Sequence, residues 1–246
     1  SKSFCYHMSG IAAPSLRVKE TLERYEIDEP IEIIPTGVDI SKFSKSTNEN
    51  IREKYKINSE QPLLLTLSRL AFEKNIDKLL NAMPDILARV PETKLMICGD
   101  GPARESLVQQ VSDMNLTDSV IFTGEINNDE VGSYYKAADV FVSTSVSESQ
   151  GLTYIEAIAS GTKVITTHSP YTDSILTDAS IGMTFTGEDE LVNKVVDYLL
   201  NGEKYNDSKP REELLNSISA DNFGRKVVSF YEKCMLDFDM KKKLRF

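Results

Sequence analysis

The segment that decides the fold runs from Asp139 to Gly161 and reads DVFVSTSVSESQGLTYIEAIASG. It begins with a short apolar run typical of a strand, and from Gly151 onward it has the composition of a helix. A turn that contains Glu148 separates the two. Because a helix N-terminus presents unpaired backbone N–H groups and the positive end of its dipole, this strand, turn and helix predict an anion site.

Two carboxylates flank the predicted helix start. Glu148 falls in the turn before it, and Glu156 falls about a turn and a half inside the helix, at roughly 3.6 residues per turn. Glu156 stands between apolar residues, so we expect its side chain to be half-buried and to need polar partners. The pair suits a ligand with phosphate at one end and hydroxyl groups on either side, as in a nucleotide sugar. The alternative is that both are ordinary surface acids.

Strands and helices alternate along most of the chain. Short connections between them imply parallel strands joined by right-handed crossovers, so we predict an α/β fold with a doubly wound, Rossmann-like parallel sheet. The polar stretch 202–210 is predicted to be a loop. The predicted strands are 31–35, 63–68, 94–98, 119–123, 139–144, 163–167 and 181–186, and the predicted helices are 16–25, 75–89, 103–114, 129–138, 151–160 and 221–240.

Ligands of such sheets bind beyond the carboxyl ends of the strands. Arg69 and Lys74 directly follow a buried strand, and together they are suited to neutralise a diphosphate. The alternative is that they are solvated loop cations, one of them paired with Glu73. The segment 99–102 predicts a tight turn into a helix, with a supporting role near the ligand as the alternative. Four strand ends are expected to share one crevice: Ser68-Arg69, Gly99-Asp100, Gly124-Glu125 and Ser147-Glu148.

The composition is that of a globular protein and narrows the classes of function. The 246 residues are 40% hydrophobic and 27% charged, and apolar runs of four to six residues are too short to span a bilayer. The first residues lack the long apolar stretch of a signal peptide, and the missing initiating Met suggests a fragment or a processed chain. The net charge of -10 argues against general nucleic-acid binding, which needs a basic surface.

Cysteine, histidine and lysine usage adds three expectations. The three cysteines show no CxxC spacing, so we interpret them as reduced cytosolic thiols, with Cys98 in the core. His7 and His168 are the only histidines, which argues against a His-based metal site. The basic cluster 241–243 with Arg245 is either a solvated tail or a contact with anionic lipid headgroups, at up to about 1 kcal/mol per basic residue.

Taken together, these residues resemble the retaining glycosyltransferases of family 4, which have the two-domain GT-B fold. The resemblance covers nearly the whole chain, and its motifs occur in the family's order. It rests on Pro35-Thr36-Gly37-Val38-Asp39 with Phe43, Arg69 with Lys74, Gly99-Asp100-Gly101-Pro102, Phe122-Thr123-Gly124, Ala138-Asp139, and the E-x7-E element from Glu148 to Glu156.

The resemblance implies that the chain is the C-terminal, donor-binding half of such an enzyme. Residues 1–30 would be a remnant of the N-terminal domain and the interdomain junction. Residues 31–220 would form the nucleotide-sugar-binding domain, and residues 221–246 the crossing helix and basic tail. Because the acceptor site would belong to the absent half, the chain alone would bind its donor weakly and would not transfer sugar.

The resemblance also implies a catalytic set. Arg69 and Lys74 would bind the donor diphosphate and offset the charge that builds on the leaving nucleotide. Glu148 would hold a hydroxyl group of the donor sugar. No metal is expected, because the two cations and the helix dipole replace it, and no other cofactor is expected. The transfer would retain the anomeric configuration.

A second set of residues is implied to bind the donor without taking part in the reaction. The backbone N–H groups around Gly151, Leu152 and Thr153 would contact the sugar and the β-phosphate. Glu156 would bind the ribose, and the backbone near Ile126 would meet the base, usually uracil.

Within the family, the segments 134–139, 150–156 and 169–171 look closest to the diacylglycerol glucosyltransferases of Gram-positive bacteria. That likeness implies glucose transfer from UDP-glucose to diacylglycerol in membrane glycolipid synthesis. It also implies a cytoplasmic protein with peripheral contact to the inner face of the cell membrane. The alternatives are a cell-wall, capsular or protein acceptor, or a non-catalytic sugar-binding subunit of the same fold. A nucleotide-sugar epimerase would need acid and base groups that the sequence does not offer.

Overall fold

The structure, a computed structural model, describes residues 2–5, 7–44, 50–146, 148 and 150–243. The chain forms two compact units. The terminal unit contains the residues up to Asp39 and those from Leu215 onward, and the central unit runs from Ile40 to Leu214. These boundaries differ from the sequence-based ones at 30/31 and 220/221. The origin of the first residues in an N-terminal domain stays a prediction.

Eight strands and twelve α-helices are present in the described residues. In chain order the strands are β1 (Ile11–Ala13), β2 (Ile31–Ile33), β3 (Leu63–Leu67), β4 (Lys94–Cys98), β5 (Val120–Gly124), β6 (Val140–Ser143), β7 (Lys163–Thr167) and β8 (Gly182–Phe185). The helices are α1 (Lys2–Cys5), α2 (Leu16–Arg24), α3 (Ser41–Ser44), α4 (Ile51–Lys54), α5 (Ile76–Arg89), α6 (Arg104–Asp113), α7 (Val131–Ala137), α8 (Leu152–Ser160), α9 (Pro170–Ile175), α10 (Glu188–Asn201), α11 (Lys209–Ser217) and α12 (Ala220–Lys243), with 3-10 turns at Phe72–Lys74 and Gly202–Tyr205.

The central unit contains a six-stranded sheet in the order β5-β4-β3-β6-β7-β8, and every pair in it is parallel. The chain winds outward from β3 to β5, returns to place β6 on the other side of β3, and continues outward to β8. The predicted doubly wound α/β fold is confirmed. The winding direction reverses between β3 and β6, and ligands of open α/β sheets bind at such a switch point.

The core of the central unit lies on both faces of this sheet. The first three residues of β3, Leu63 to Leu65, are fully buried, as expected for a parallel strand covered on both sides. Helix α5 buries an apolar stripe that includes Leu79, Leu80 and Met83. Cys98 is also fully buried, and burial raises the pKa of its thiol to about 12, so its predicted place in the core is confirmed.

Arg52 joins several segments at the amino edge of the sheet. Its guanidinium donates to the carbonyl oxygens of Ala137 at 2.8 Å and Gln61 at 2.7 Å, and to Asp139 Oδ2 at 2.9 Å. Asp139 also accepts from the backbone N–H of Leu63 at 2.7 Å. Asp139 therefore has structural partners at the edge opposite the carboxyl ends of the strands.

The predicted loop at 202–210 is wrong in two places. Residues Gly202–Tyr205 form a 3-10 turn, which Tyr205 holds in place by an edge-on ring contact with Tyr198 and a hydrogen bond to Asp197. Helix α11 then begins at Lys209, whose backbone N–H donates to Asp207 Oδ1 at 2.9 Å. Polar residues here start a helix, because side-chain oxygens satisfy the unpaired N–H groups of its first turn.

Helices α9 and α10 are absent from the sequence-based assignment. Both helices begin with residues that favour a helix N-terminus, and a search for apolar periodicity does not detect such residues. Ser169 and Thr172 form a reciprocal capping box at the start of α9. Helix α10 has three acidic residues in its first turn, which suits the positive end of the helix dipole.

The terminal unit is built on a two-stranded parallel sheet. Strand β2 pairs with β1, so the predicted strand at 31–35 does not join the six-stranded sheet. The backbone of Val38 bridges to Ser219, beside the start of α12. Gly37 packs so closely on this helix that an added Cβ would lie 2.6 Å from the Cβ of Phe223.

Helix α12 buries only some of its apolar residues. Phe230 is buried, and Phe223, Val227 and Cys234 are half-buried, but Tyr231 and Phe238 are 65% and 57% exposed. The side chains of residues 241–246, including the basic cluster, lie outside the described residues. None of the described helices is long and apolar enough to cross a membrane.

Candidate functional site

The loops that follow β3 and β6 are joined at the switch point of the sheet. Thr144, directly after β6, donates from Oγ1 to the backbone oxygen of Lys74 at 3.0 Å. The side-chain amide of Asn75 donates back to the carbonyl of Thr144 at 3.4 Å. These bonds fix the backbone at Lys74 against the carboxyl end of β6.

Lys74 and Glu148 form an ion pair at this position. Nζ of Lys74 contacts Oε1 of Glu148, and the two side chains are only 20% and 24% exposed. Because Glu148 lies three residues before Gly151, the ammonium group is held near the turn that opens α8. The structure thus brings Lys74, in the loop after β3, into contact with Glu148, in the segment after β6, while the roles of both residues towards a ligand stay predictions.

Arg69 has a different partner. Its Nη2 lies 2.5 Å from Oε1 of Glu73, and its side chain is 65% exposed. A hydrogen bond from its own backbone, and secondarily the charge of Arg69, keep the pKa of Glu73 below its ordinary value, so this carboxylate stays ionised. One alternative was that a cation of this loop pairs with Glu73. That alternative is correct for Arg69 and not for Lys74.

The turn 99–102 supports the loop that carries Arg69. The backbone N–H of Leu70 donates to the carbonyl of Asp100 at 2.9 Å, and the N–H of Ala103 donates to the carbonyl of Leu70 at 2.8 Å. Gly99 has φ +125°, and a Cβ there would lie 2.0 Å from the carbonyl oxygen of Ser68. Glycine is required at position 99 because the backbone of Ser68 approaches so closely. The interpretation of 99–102 as a tight turn into a helix is therefore sufficient to explain this glycine.

The start of α8 depends on Gly151 and Tyr154. Gly151 is the N-cap residue in the left-handed region at φ +52°, and it makes no side-chain capping bond. The ring of buried Tyr154 packs on it, and its hydroxyl lies 3.1 Å from Oγ of Ser143 in β6. The first turn, with Leu152 43% exposed and Thr153 half-buried, presents N–H groups that an anion can satisfy.

Substitution of Gly151 by alanine is expected to destabilise the protein by about 2–4 kcal/mol. The left-handed backbone disfavours any Cβ, and this Cβ would lie 2.4 Å from Cδ2 of Tyr154. Gly124→Ala is the matched control, because Gly124 has φ +73° but no atom within 4 Å of an added Cβ. Urea unfolding of both variants should show a clearly larger loss for Gly151→Ala, and equal losses would contradict the tight contact with Tyr154.

Glu156 is half-buried, as its apolar neighbours predict. Burial raises the pKa of its carboxyl, and a hydrogen bond from the hydroxyl of Tyr135, 3.2 Å from Oε2, acts in the opposite direction. Tyr135 is a partner of Glu156 that the sequence does not predict. The two residues lie 21 positions apart, on α7 and α8, and no sequence pattern links them.

Two other residues lie at the carboxyl edge. Ile126 is half-buried in the loop after β5, and its predicted contact with the base stays a prediction. Tyr171, on α9, is also half-buried; burial raises the pKa of its phenol, and the nearby Tyr154 and Glu148 add to that rise. The phenol of Tyr171 therefore stays neutral.

The described residues at this edge do not form a cluster of metal ligands. Within the described ranges there is no group of three or more His, Cys, Asp or Glu side chains that could hold a metal ion. His168, which follows β7, has Nδ1 3.1 Å from Asp173. The expectation of a metal-independent site stays a prediction.

The residues at the switch point combine one fixed cation, the N-terminus of a helix and two half-buried carboxylates. The cation and the helix N-terminus suit phosphate oxygens, which accept charged hydrogen bonds. Carboxylates accept hydrogen bonds from hydroxyl groups, so Glu148 and Glu156 suit a ligand with hydroxyls on both sides of its phosphates. Each of the two predicted cations is paired with a carboxylate: Lys74 with Glu148, and Arg69 with Glu73.

Comparison with known proteins gives three findings. The family described as "Glycosyl transferases group 1" matches residues 47–213. The alpha-monoglucosyldiacylglycerol synthase of Streptococcus pneumoniae is 38% identical over 99% of this chain and 56% of its own length. The protein of the same name from Acholeplasma laidlawii is 30% identical over 77% of this chain and 49% of its own length. The chain thus spans about half the length of these curated relatives.

Solved structures share the fold. The Anabaena protein HepE in complex with UDP has a TM-score of 0.79 at 18% identity, over 92% of this chain and 64% of its own. A glycosyltransferase from Rickettsia africae has a TM-score of 0.80 at 22% identity, over 92% of this chain and 63% of its own. At these identities the likeness is one of fold.

Proposed function

Because the chain belongs to the group 1 glycosyl transferases, we propose that its central unit binds a UDP-sugar as the donor for hexosyl transfer. The observation that carries the proposal is the contact between Lys74 and Glu148 at the switch point of the sheet. The pair brings a cation for the diphosphate and an acceptor for a sugar hydroxyl to one place. The UDP bound to HepE, a protein of the same fold, supports the choice of nucleotide.

The catalytic role of these residues follows from where charge develops. As the bond from sugar to phosphate breaks, negative charge accumulates on the leaving UDP. Lys74 and the N-terminus of α8 offset that charge, in place of a metal ion. Arg69 contributes as well, after its guanidinium has exchanged Glu73 for the phosphate. Glu148 holds a sugar hydroxyl so that the anomeric carbon faces the acceptor, and the transfer proceeds with retention.

The donor-binding residues orient the nucleotide. The N–H groups of Gly151, Leu152 and Thr153 contact the sugar and the β-phosphate. Glu156 accepts hydrogen bonds from the ribose, and the backbone at Ile126 meets the uracil. These contacts need no bound cofactor beyond the substrate.

We further propose that the sugar is glucose and the acceptor diacylglycerol. Both relatives described above are named for making a monoglucosyldiacylglycerol. The acceptor would bind to an N-terminal domain that completes the enzyme, working from the cytoplasmic side. The basic cluster 241–243 with Arg245 would help peripheral contact, because anionic headgroups attract each basic residue by about 1 kcal/mol.

The experiment uses the full-length protein with UDP-glucose and vesicles that contain diacylglycerol. Mass spectrometry of the extracted lipids should detect hexosyl-diacylglycerol, and vesicles without diacylglycerol should give none. GDP-mannose serves as the donor control and should give no product. Release of free glucose without a glycolipid, or transfer only to a different acceptor, would contradict the proposed acceptor.

A further inference from the structure

Tyr135 is a fully buried tyrosine whose hydroxyl reaches a site carboxylate. Its side chain has no exposed surface, yet its OH donates to Oε2 of Glu156 at 3.2 Å. A buried phenol needs a hydrogen-bond partner, and many positions in a core provide a backbone carbonyl for it. Here the partner is the carboxylate that the proposed function assigns to the ribose.

Tyr135 is held from two sides. Its ring packs edge-on against Phe141 of β6, with ring centroids 5.4 Å apart and an angle of 70° between the planes. Its backbone oxygen accepts from Oγ1 of Thr162, just after α8, at 2.6 Å. The phenol is thus fixed relative to both the strand and the helix that form the site.

The hydrogen bond has one direction. Burial raises the pKa of Tyr135 well above its ordinary value, and the negative charge of Glu156 raises it further, so the hydroxyl stays protonated and donates. Glu156 therefore accepts through Oε2. Among the described residues the hydrogen bond to this carboxylate uses Oε2, and Oε1 is not among the buried side-chain atoms that lack a partner, so Oε1 is accessible to a ligand.

We propose that Tyr135 is a positioning residue of the donor site, which fixes the Glu156 carboxylate so that its second oxygen accepts hydrogen bonds from the ribose hydroxyls. This inference rests on the proposed function and extends it to a residue that does not itself touch the donor. A carboxylate held by one buried bond loses little conformational freedom when the ligand binds. Tyr135 would therefore act on the affinity for the hydroxyl-bearing part of the nucleotide.

The test compares UDP with 2′,3′-dideoxy-UDP on the 246-residue chain by calorimetry. The unmodified chain should bind UDP more tightly than the dideoxy analogue. Tyr135→Phe removes only the hydroxyl and should weaken UDP binding about tenfold, the loss expected from misplacing one hydrogen bond to a charged group, while dideoxy-UDP binding stays unchanged.

Tyr134→Phe is the matched control. Tyr134 is also buried, but its hydroxyl lies 3.2 Å from that of Tyr55 and not at Glu156. This variant should keep the preference for UDP. If Tyr135→Phe keeps the preference too, or loses affinity for both nucleotides equally, Tyr135 has only a structural role and the inference is overturned.

A second measurement does not depend on the folding of the phenylalanine variant. Replacing Tyr135 with 3-fluorotyrosine keeps the hydroxyl and provides a fluorine NMR signal next to the bond with Glu156. The signal should shift on adding UDP and shift much less with dideoxy-UDP, and equal responses would overturn the inference. Failure of the unmodified chain to bind UDP at all is a separate outcome, which contradicts the proposed function itself.

Discussion

Replacing Glu148 by alanine in the full-length protein is expected to lower turnover by about a hundredfold or more, while the Kd for UDP changes less than about threefold. The reason is that a contact with the donor sugar matters most as the sugar separates from UDP. Its ion-pair partner, Lys74, does not need Glu148 to bind phosphate, so the nucleotide should still bind.

Steady-state kinetics with UDP-glucose and calorimetry with UDP separate the two effects. Glu148→Gln, which keeps the volume but removes the charge, should show a similar loss of turnover. Glu105→Ala, at an exposed position in the first turn of α6, should leave both quantities unchanged. Unchanged turnover in Glu148→Ala, or a parallel loss of turnover and UDP affinity, would contradict the assigned role.

Lys74→Ala is expected to weaken UDP binding by about 1–3 kcal/mol, because the diphosphate loses one charged hydrogen bond. The position is favourable for such a bond, since the side chain is only 20% exposed and its backbone is fixed by Thr144. Uridine, which has no phosphate, should bind the variant and the unmodified chain equally.

Calorimetry with UDP and uridine is the measurement, and Lys78→Ala is its control. Lys78 is exposed on α5, close in sequence and equal in charge, and its removal should have no effect on either ligand. The Lys74→Ala substitution also removes the ion pair with Glu148, so the stability of this variant should be measured by thermal unfolding alongside the binding experiments. Equal loss for UDP and uridine would indicate a change in folding rather than a lost phosphate contact.

Most of the sheet could be predicted from the sequence. The strands at 63–67, 94–98 and 163–167 are apolar runs bounded by turn residues, and buried parallel strands require such runs. The alternation of strands and helices predicted that the loops after β3 and β6 lie at the same edge of the sheet, where the structure places Lys74 and Glu148.

The rest depends on packing that short-range patterns do not encode. The bond from Tyr135 to Glu156 exists because α7 and α8 pack together, and the sequence around either residue does not predict it. Arg69 pairs with Glu73, four residues along the chain, and this carboxylate competes with a phosphate for the guanidinium. The sequence alone does not show which of the two partners Arg69 takes. The exposure of Tyr231 likewise depends on which face of α12 packs against its own unit, and the spacing of apolar residues along the helix does not decide this.

A crystal structure of the chain with UDP is the most direct test of the central claim that the pyrophosphate binds between Lys74 and the N-terminus of α8. Phosphate oxygens should lie in hydrogen-bond contact with Nζ of Lys74 and with the N–H groups at 151–153, and the ribose should lie at Glu156. UDP bound at another edge of the sheet, or with its phosphates away from both Lys74 and α8, would contradict it.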